Sequence, residues 1–445
     1  MQSIKIKTKK LKKVANMIAD SGFGNILHEH NLVHLLSHFK FRKHKLLTEN
    51  IPDANSLARL LDELGPGFVE CARIIASRSD VIPIQYQNIL INLKHTSKQL
   101  SEREVNGIIK KEFNKSAHTI FNEIDFEPHR VNLTSTTYKA TLKDGKRVLV
   151  TISNPDEVKL LNENLENIQW IVEWILPNID KHKATLWKQV WEELSDRTSM
   201  LNDLTKVAGR IEVLGSNFED DNKIDIPEAI WEVTSKNILT QRWHKLSDLH
   251  DIREYSGRAG VARKYVVRYI LEAMVKQYGI GGTFLLRPQL SGWQAAEKNG
   301  IVFNNFLETG FLEPIDRKKF VALLYSLLMN KEELAGKILL NLHYEVSGHH
   351  MSGESGLVVH KTKSTTLSES LWAILESGWQ GNISIPIGIT TAAESILYLE
   401  NAVTHFDSEI DFVDGMKMAI KKQLNEIFGV NKNASVEEVV NSVLE

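Results

Sequence analysis

Residues 138–155 read YKATLKDGKRVLVTISNP. Two alternating runs flank Asp144-Gly145, and an Asp-Gly pair in that setting predicts a β-hairpin with a tight turn. Lys143 and Lys146 bracket the turn. Beyond it, Val148, Val150 and Ile152 fall on one face of a strand, and Leu149, Thr151 and Ser153 on the other. The strand is well made, yet its centre carries only a small hydroxyl, Thr151. Next, Asn154 suits a helix cap, Pro155 the first helical position, and Asp156 and Glu157 the positive helix end. Val158, Leu161, Leu165, Ile168, Val172 and Ile175 then recur at spacings of three and four, which predicts a long amphipathic helix stopped at Pro177.

Outward from this hairpin the chain reads mainly as helix. Leu11, Val14, Ala15 and Ile18 make an apolar stripe among Lys7, Lys9, Lys10, Lys12 and Lys13, ended by Ser21-Gly22. A basic amphipathic helix of this kind suits an anionic membrane surface, but the simpler expectation is a solvated lysine face over a stripe packed on the protein itself. Residues 55–86 predict two helices broken at Gly65-Pro66-Gly67, the second stopped by Pro83. Ser101 and Glu104 fit a capping box before Val105, Ile108 and Ile109. After the hairpin, a second long helix is predicted from Ala184 to Ile211, and residues 226–243, IPEAIWEVTSKNILTQRW, predict a second hairpin. Further helices are expected over Val261–Val275, Arg317–Met329, before Gly378, over Thr391–Ala402 and over Asp414–Ile427, with an irregular, partly strand-like patch at 281–310. This order predicts an α+β fold.

The chain has 445 residues, 42% hydrophobic and 25% charged, with a net charge of −2. That balance fits a globular protein with ample core and argues against a nucleic-acid-binding surface, which would be basic. Cys71 is the only cysteine, which excludes an internal disulfide and a cysteine-rich zinc site. No apolar run reaches the ~20 residues needed to span a bilayer, and residues 1–20 lack the apolar core of a signal peptide. The expected location is cytoplasmic, with peripheral membrane contact as an extension through the basic N-terminal helix.

Five stretches, in order, resemble the UbiB family of AarF-like atypical protein-kinase-like proteins. LGPGFVECARIIASRSDVIPIQY (64–86) resembles LGPxFIKLGQxLSxRPDLLPxEY. The hairpin with its following Asn-Pro resembles a strand that usually ends VAVKVQRP. IPEAIWEVTSKNILTQRW resembles VPxVYWExSTxRVLxMEW, and IVFNNFLETGFLEPIDRKKF (301–320) aligns without gaps to IVLLDFGMVGxLDPxxRxxL. ISIPIGITTAAESILYLENAVTHFDSEIDF (383–412) resembles LPxDLxLLxRALxTLEGxxxxLDPDFD. The resemblance implies a two-lobed kinase-like fold: an N-terminal helical extension over 1–118, a lobe with a small antiparallel sheet over 119–244, and a helical lobe with C-terminal helices over 245–445. It also implies ATP binding or ATPase activity and a link to ubiquinone biosynthesis or lipid homeostasis, often at membranes.

Phosphoryl transfer needs a lysine on phosphate, a carboxylate to position it, oxygens for magnesium and an acid at the nucleophile. On the resemblance, none of these charges is in place. The family's K-x-G-Q falls on Glu70-Cys71-Ala72-Arg73, and its small-residue loop on Arg130-Val131-Asn132-Leu133. The strand lysine falls on Thr151 and its glutamate partner near Met200. The catalytic loop falls on 285–292, with the acid at Arg287 and the asparagine at Gly292 or Trp293; the metal-binding D-F-G falls on Asn305-Phe306-Leu307. The expectation is a pseudokinase acting on an unknown protein partner or lipid-like molecule, with Arg130, Asn132, Thr151 and Arg287 as cleft residues and no cofactor. The alternative is an ATP- and magnesium-dependent enzyme with a relocated site, in which Asn305 and Glu308 would be weak metal donors. His343, His349, His350 and His360 match no zinc spacing, and Cys71 sits among apolar residues as a packed thiol. The tryptophans at 170, 174, 187, 191, 231 and 243 are expected in core or interface.

Overall fold

A computed structural model describes residues 11–23, 53–77, 84–95, 97–178, 181–244, 259–288, 293–295, 300–347, 366–381 and 383–444. The chain divides into two compact units. The first holds Met1–Val105, Glu127–Tyr138 and Thr151–Asn202; the second holds Asn106–Phe126, Lys139–Val150 and Asp203–Glu445. The helices are α1 (residues 11–18, continued by a π turn at Ala19–Phe23), α2 (Ala54–Leu64), α3 (Pro66–Ala76), α4 (Ile84–Ile91) and α5 (Glu102–Phe113). Strands β1 (Phe121–Val131), β2 (Ser135–Leu142) and β3 (Arg147–Ser153) follow, then α6 (Pro155–Ile175), α7 (Lys181–Leu201), α8 (Leu204–Ser216), β4 (Ile224–Asp225) and β5 (Ile238–Arg242). The remainder is α9 (Ala259–Lys276), β6 (Thr283–Leu285), β7 (Trp293–Ala295), β8 (Ile301–Phe303), β9 (Thr309–Phe311), α10 (Pro314–Leu328), α11 (Glu332–Ser347), α12 (Leu367–Gln380), α13 (Ile387–Phe406), α14 (Phe412–Phe428) and α15 (Val436–Leu444).

The hairpin forms as its sequence predicts. Gly145 takes φ 85°, which an L side chain rarely adopts, and Lys146 O accepts from Leu142 N at 2.9 Å across the turn. Strands pair in the order β1-β2-β3-β5, and both faces of β3 from Val148 to Ser153 are buried. Asn154 caps α6 by accepting from Asp156 N at 3.1 Å. The capping box at α5 is also made: Ser101 N donates to Glu104 Oε2 at 2.8 Å, and Glu104 N to Ser101 Oγ at 3.3 Å.

In the first unit, Leu60, Leu64, Phe68, Ile74, Ile168 and Leu194 share one apolar core with Val14. Leu11, Val14, Ala15 and Ala19 are buried while Lys12 and Lys13 are exposed, so the apolar stripe of α1 is spent on the protein's own core. The break between α2 and α3 is tightly made. Asn164 on α6 donates Nδ2 to Leu64 O at 3.0 Å and accepts from Gly67 N at 3.1 Å. A methyl group at Gly67 would lie 2.5 Å from Asn164 Cβ, so the crossing requires glycine.

Three predicted elements differ. The helix expected from Ala184 to Ile211 is two helices, because Asp203 takes an extended conformation (φ −152°) and caps α8 through Thr205 N at 3.1 Å. In the predicted second hairpin only β5 is a strand; its opposite arm holds a 3-10 turn at Trp231–Val233 and isolated bridges Ala229–Gln241 and Ser235–Ile238. Thr234 Oγ1 satisfies Thr240 N at 3.1 Å where a ladder carbonyl would otherwise serve. Gly378 lies inside α12 rather than beyond it, with only ordinary contacts around it. Trp231 is exposed at 43%, while Trp187 and Trp191 pack on the first unit's core. Pro83, His349, His350, His360, Gly292, Lys7, Lys9 and Lys10 lie outside the described residues.

Candidate functional site

In the first unit, α3 presents Glu70 to the interior, 3% exposed. Such a carboxylate needs a partner, since an uncompensated buried charge is costly. Glu70 accepts from Arg197 Nη1 at 3.2 Å and from Arg73 Nη1 at 3.4 Å. Arg197 also pairs with Glu193 one turn earlier on α7, and Arg73 Nε donates to Leu93 O at 2.8 Å. Two acids and two arginines thus alternate through a buried network. Arg197, like Glu193, is a member the motif alignment does not name. It was visible only as an arginine on a buried helix face, because Val190, Leu194, Arg197 and Leu201 follow helical spacing. Met200, one turn on, is buried and apolar.

Thr151, on β3, is 4% exposed and uncharged. Its hydroxyl lies 2.8 Å from that of Thr137 on β2. Asn132 Nδ2 donates to Thr137 Oγ1 at 3.1 Å and to Ser135 Oγ at 3.3 Å, so Asn132 and Thr151 meet through Thr137. The loop between β1 and β2 is bound inward as well: Asn132 N donates to Ser135 O, and Asn154 N to Thr134 O, both at 2.8 Å. Leu133 is buried with Val69 and Ala72 of α3, Leu93 and Leu161. Arg130 is half-buried at the end of β1. Cys71 lies within the apolar core, and burial pushes its thiol up to about 12, which leaves it protonated and unreactive at neutral pH.

In the second unit, Arg287 follows β6 and is 4% exposed. Its Nε donates to Glu394 Oε1 on α13 at 2.9 Å, its Nη1 to Glu308 Oε1 at 3.3 Å, and its guanidinium lies 5.6 Å from the centre of the Tyr398 ring. The adjoining backbone is held on every side. Leu285 N donates to Gln277 Oε1 at 3.0 Å, Leu285 O accepts from Ser395 Oγ at 2.7 Å, and Leu286 N donates to Glu308 O at 3.0 Å. Arg287 and Glu308, both named from the sequence, are therefore brought together as partners of each other. Glu394, which pairs with Arg287, and Ser395, which holds Leu285 O, lie on α13 within the stretch 383–412 but are not named there as site residues.

Asn305 is half-buried between two buried neighbours, Asn304 and Phe306. Asn304 Nδ2 donates to Gln294 Oε1 at 2.7 Å, and its carbonyl accepts from Gln241 Nε2 at 3.3 Å. Trp293, 1% exposed, packs at 5.1 Å against Phe303. Among the described residues there is no group of three or more His, Cys, Asp and Glu side chains suited to a metal ion. A pocket of about 360 Å³ in this unit is lined by Phe218, Glu219, Asp221, Lys223, Asp225 and Ile301 among others, and by none of the residues singled out from the sequence.

A family model described as the ABC1 atypical kinase-like domain matches residues 92–338, just over half of the chain. An Arabidopsis thaliana protein named ACTIVITY OF BC1 COMPLEX KINASE 8, chloroplastic, is 26% identical over 278 residues, covering 60% of this chain and 36% of that protein. A Xylella fastidiosa protein named probable protein kinase UbiB is 28% identical over 183 residues, 40% of this chain and 33% of that one. The chain thus spans a third to a half of the length of the curated relatives it matches. Among solved structures, the Mycobacterium tuberculosis protein Rv3197, determined with erythromycin, superposes with a TM-score of 0.51 at 14% identity, covering 84% of this chain and 95% of that one. That likeness concerns the fold alone.

Proposed function

We propose that this chain, which belongs to the ABC1 atypical kinase-like family that includes UbiB, is a pseudokinase: a family scaffold that works by binding rather than by phosphoryl transfer. One observation carries the reading. Each position where the resemblance puts a phosphate- or metal-handling charge holds a residue of another kind, and three of them, Glu70, Thr151 and Arg287, are committed to partners inside the protein. Glu70 is taken up by Arg197, Thr151 by Thr137, and Arg287 by Glu394 and Glu308. The donor set does not suit ATP with magnesium. Glu70 would repel a polyphosphate, Thr151 offers no charge to one, and Asn305 offers a hard cation at most one neutral oxygen. The relocated-site alternative draws on Arg287 and Glu308, which neutralise each other, and that pairing counts against it. Its place in ubiquinone or lipid metabolism follows from family kinship.

Among the described residues no helix is long and apolar enough to cross a membrane. We propose a cytoplasmic location, with peripheral membrane contact as an extension through the basic N-terminal helix. With the apolar stripe of α1 buried, such contact would rest on lysines such as Lys12 and Lys13 rather than on inserted apolar side chains.

Calorimetric titration with ATP, with and without magnesium, tests the pseudokinase reading. The expected outcome is no saturable binding in the micromolar range and no ATP turnover. Saturable binding together with turnover that disappears in Glu308→Gln would overturn it in favour of the relocated site.

A further inference from the structure

His95 belongs to none of the motifs above, yet it occupies an unusual place in the first unit. Its ring is 6% exposed. Nδ1 lies 2.8 Å from Asp62 Oδ1 at the end of α2, and Nε2 lies 2.9 Å from Glu157 Oε2 in the first turn of α6. Two carboxylates on opposite ring nitrogens demand two N–H donors, which only the imidazolium has. The same short segment is tied down on either side of the ring. Leu93 O accepts from Arg73, Lys98 N donates to Glu157 Oε1 at 3.3 Å, and Lys98 O accepts from Asn154 Nδ2 at 2.9 Å. Leu93 itself packs in the core cluster that holds Leu133.

We infer that His95 is a proton-dependent clasp: as an imidazolium it bridges α2 to the start of α6 and docks the segment around Leu93 and Lys98, and loss of its proton releases that segment. Asp62 faces it from α2, and Glu157 from α6. Lys98, on its own segment, reaches Glu104 of α5 at 4.0 Å, and Arg73 of α3 holds the Leu93 carbonyl and pairs with Glu70. The two nearest groups are acids, so they favour the cation. Burial by itself pushes the imidazole down, but the bonds and charges of Glu157 and Asp62 outweigh it and hold it above the ordinary 6.5. A group raised in the folded state contributes its full stabilisation below the unfolded value and loses it as pH climbs through the folded one. The clasp is therefore closed at and below pH 6.5 and opens on the alkaline side.

Hydrogen exchange followed by mass spectrometry on the full chain tests this. The peptide spanning residues 90–98 is read from pH 6 to pH 9 and corrected for base-catalysed chemical exchange. Because opening releases one proton, its protection should fall up to about tenfold per pH unit between 6.5 and the folded value, then level off. In His95→Gln that dependence should vanish. In Asp62→Asn, where the carboxylate is partly exposed and folding is not at risk, it should cover a narrower pH range. Protection that is flat with pH in the unaltered protein would overturn the clasp, as would an undiminished slope in His95→Gln or an unchanged pH range in Asp62→Asn.

Discussion

Glu70→Lys puts a lysine where the family resemblance places one, and the structure says it will harm rather than repair the protein. Glu70 receives guanidinium nitrogens from Arg197 at 3.2 Å and Arg73 at 3.4 Å in a buried site. Losing those two charge-assisted hydrogen bonds removes about 1.5–3 kcal/mol each. Even if the new ammonium retreats to ~6 Å, each like-charge pair costs roughly 3 kcal/mol at an effective dielectric of ~20. Glu193 still holds Arg197, and Leu93 O still holds Arg73, which returns part of the loss. A net penalty of about 5 kcal/mol remains, comparable with the whole stability of many domains. The neutral, near-isosteric Glu70→Gln keeps the shape and one acceptor, so its cost should be near 2 kcal/mol. Urea denaturation followed by tryptophan fluorescence measures both, and calorimetry with ATP and magnesium reports any regained binding. A lysine variant that unfolds at the same urea concentration as the unaltered protein would refute the reasoning, and ATP binding by that variant would refute it more strongly.

Two further substitutions probe the second unit and the helix crossing. Arg287→Leu leaves Glu394, 1% exposed, without its cation and should cost about 3–5 kcal/mol; adding Glu394→Gln should recover much of that, and additive effects in the double-mutant cycle would show that the two side chains are not coupled. Gly67→Ala forces a methyl group to 2.5 Å from Asn164 Cβ, so thermal unfolding should show a loss of about 1–3 kcal/mol, whereas no change would mean that the crossing can relax.

The sequence disclosed local structure where a single residue's geometry suffices. Asp144-Gly145, Ser101 with Glu104, and Asn154 before Pro155 each specify a turn or cap through bonds within four residues, and each formed. It misled where a polar residue inside an apolar rhythm had to be weighed. Asp203 interrupts a helical stripe, and only its cap onto Thr205 shows that the chain stops and restarts there. Gly378 reads as a stop but is absorbed within α12. Helices α11 and α15 escaped the reading of hydrophobic rhythm altogether. At the site, the motif positions were named from the resemblance, without gaps around Thr151 and Asn305. Their partners were not. Arg197 lies 127 residues from Glu70, Glu394 lies 107 from Arg287, and Thr137 is the last of four Ser/Thr hydroxyls in a row. No local pattern links such pairs, because tertiary packing brings them together.

Those partners bear on the proposed pseudokinase reading. A lone acid at position 70 or a lone arginine at 287 would each be a buried charge without a counter-charge, a state that costs several kcal/mol. Instead the acid sits on Arg197 and Arg73, and the arginine on Glu394 and Glu308. At Thr151 the replacement is neutral, and its hydroxyl is satisfied by another hydroxyl, so no counter-charge is needed there. At Glu70, Thr151 and Arg287 the residue present is therefore one end of a matched interaction, with Arg197, Thr137 and Glu394 at the other. Changing one end alone breaks the match: Arg197 loses the Glu70 carboxylate while Glu193 still holds it, and Glu394 loses the Arg287 guanidinium. On the pseudokinase reading proposed above, reversion toward a phosphate-handling site would proceed in pairs, Glu70 with Arg197 and Arg287 with Glu394.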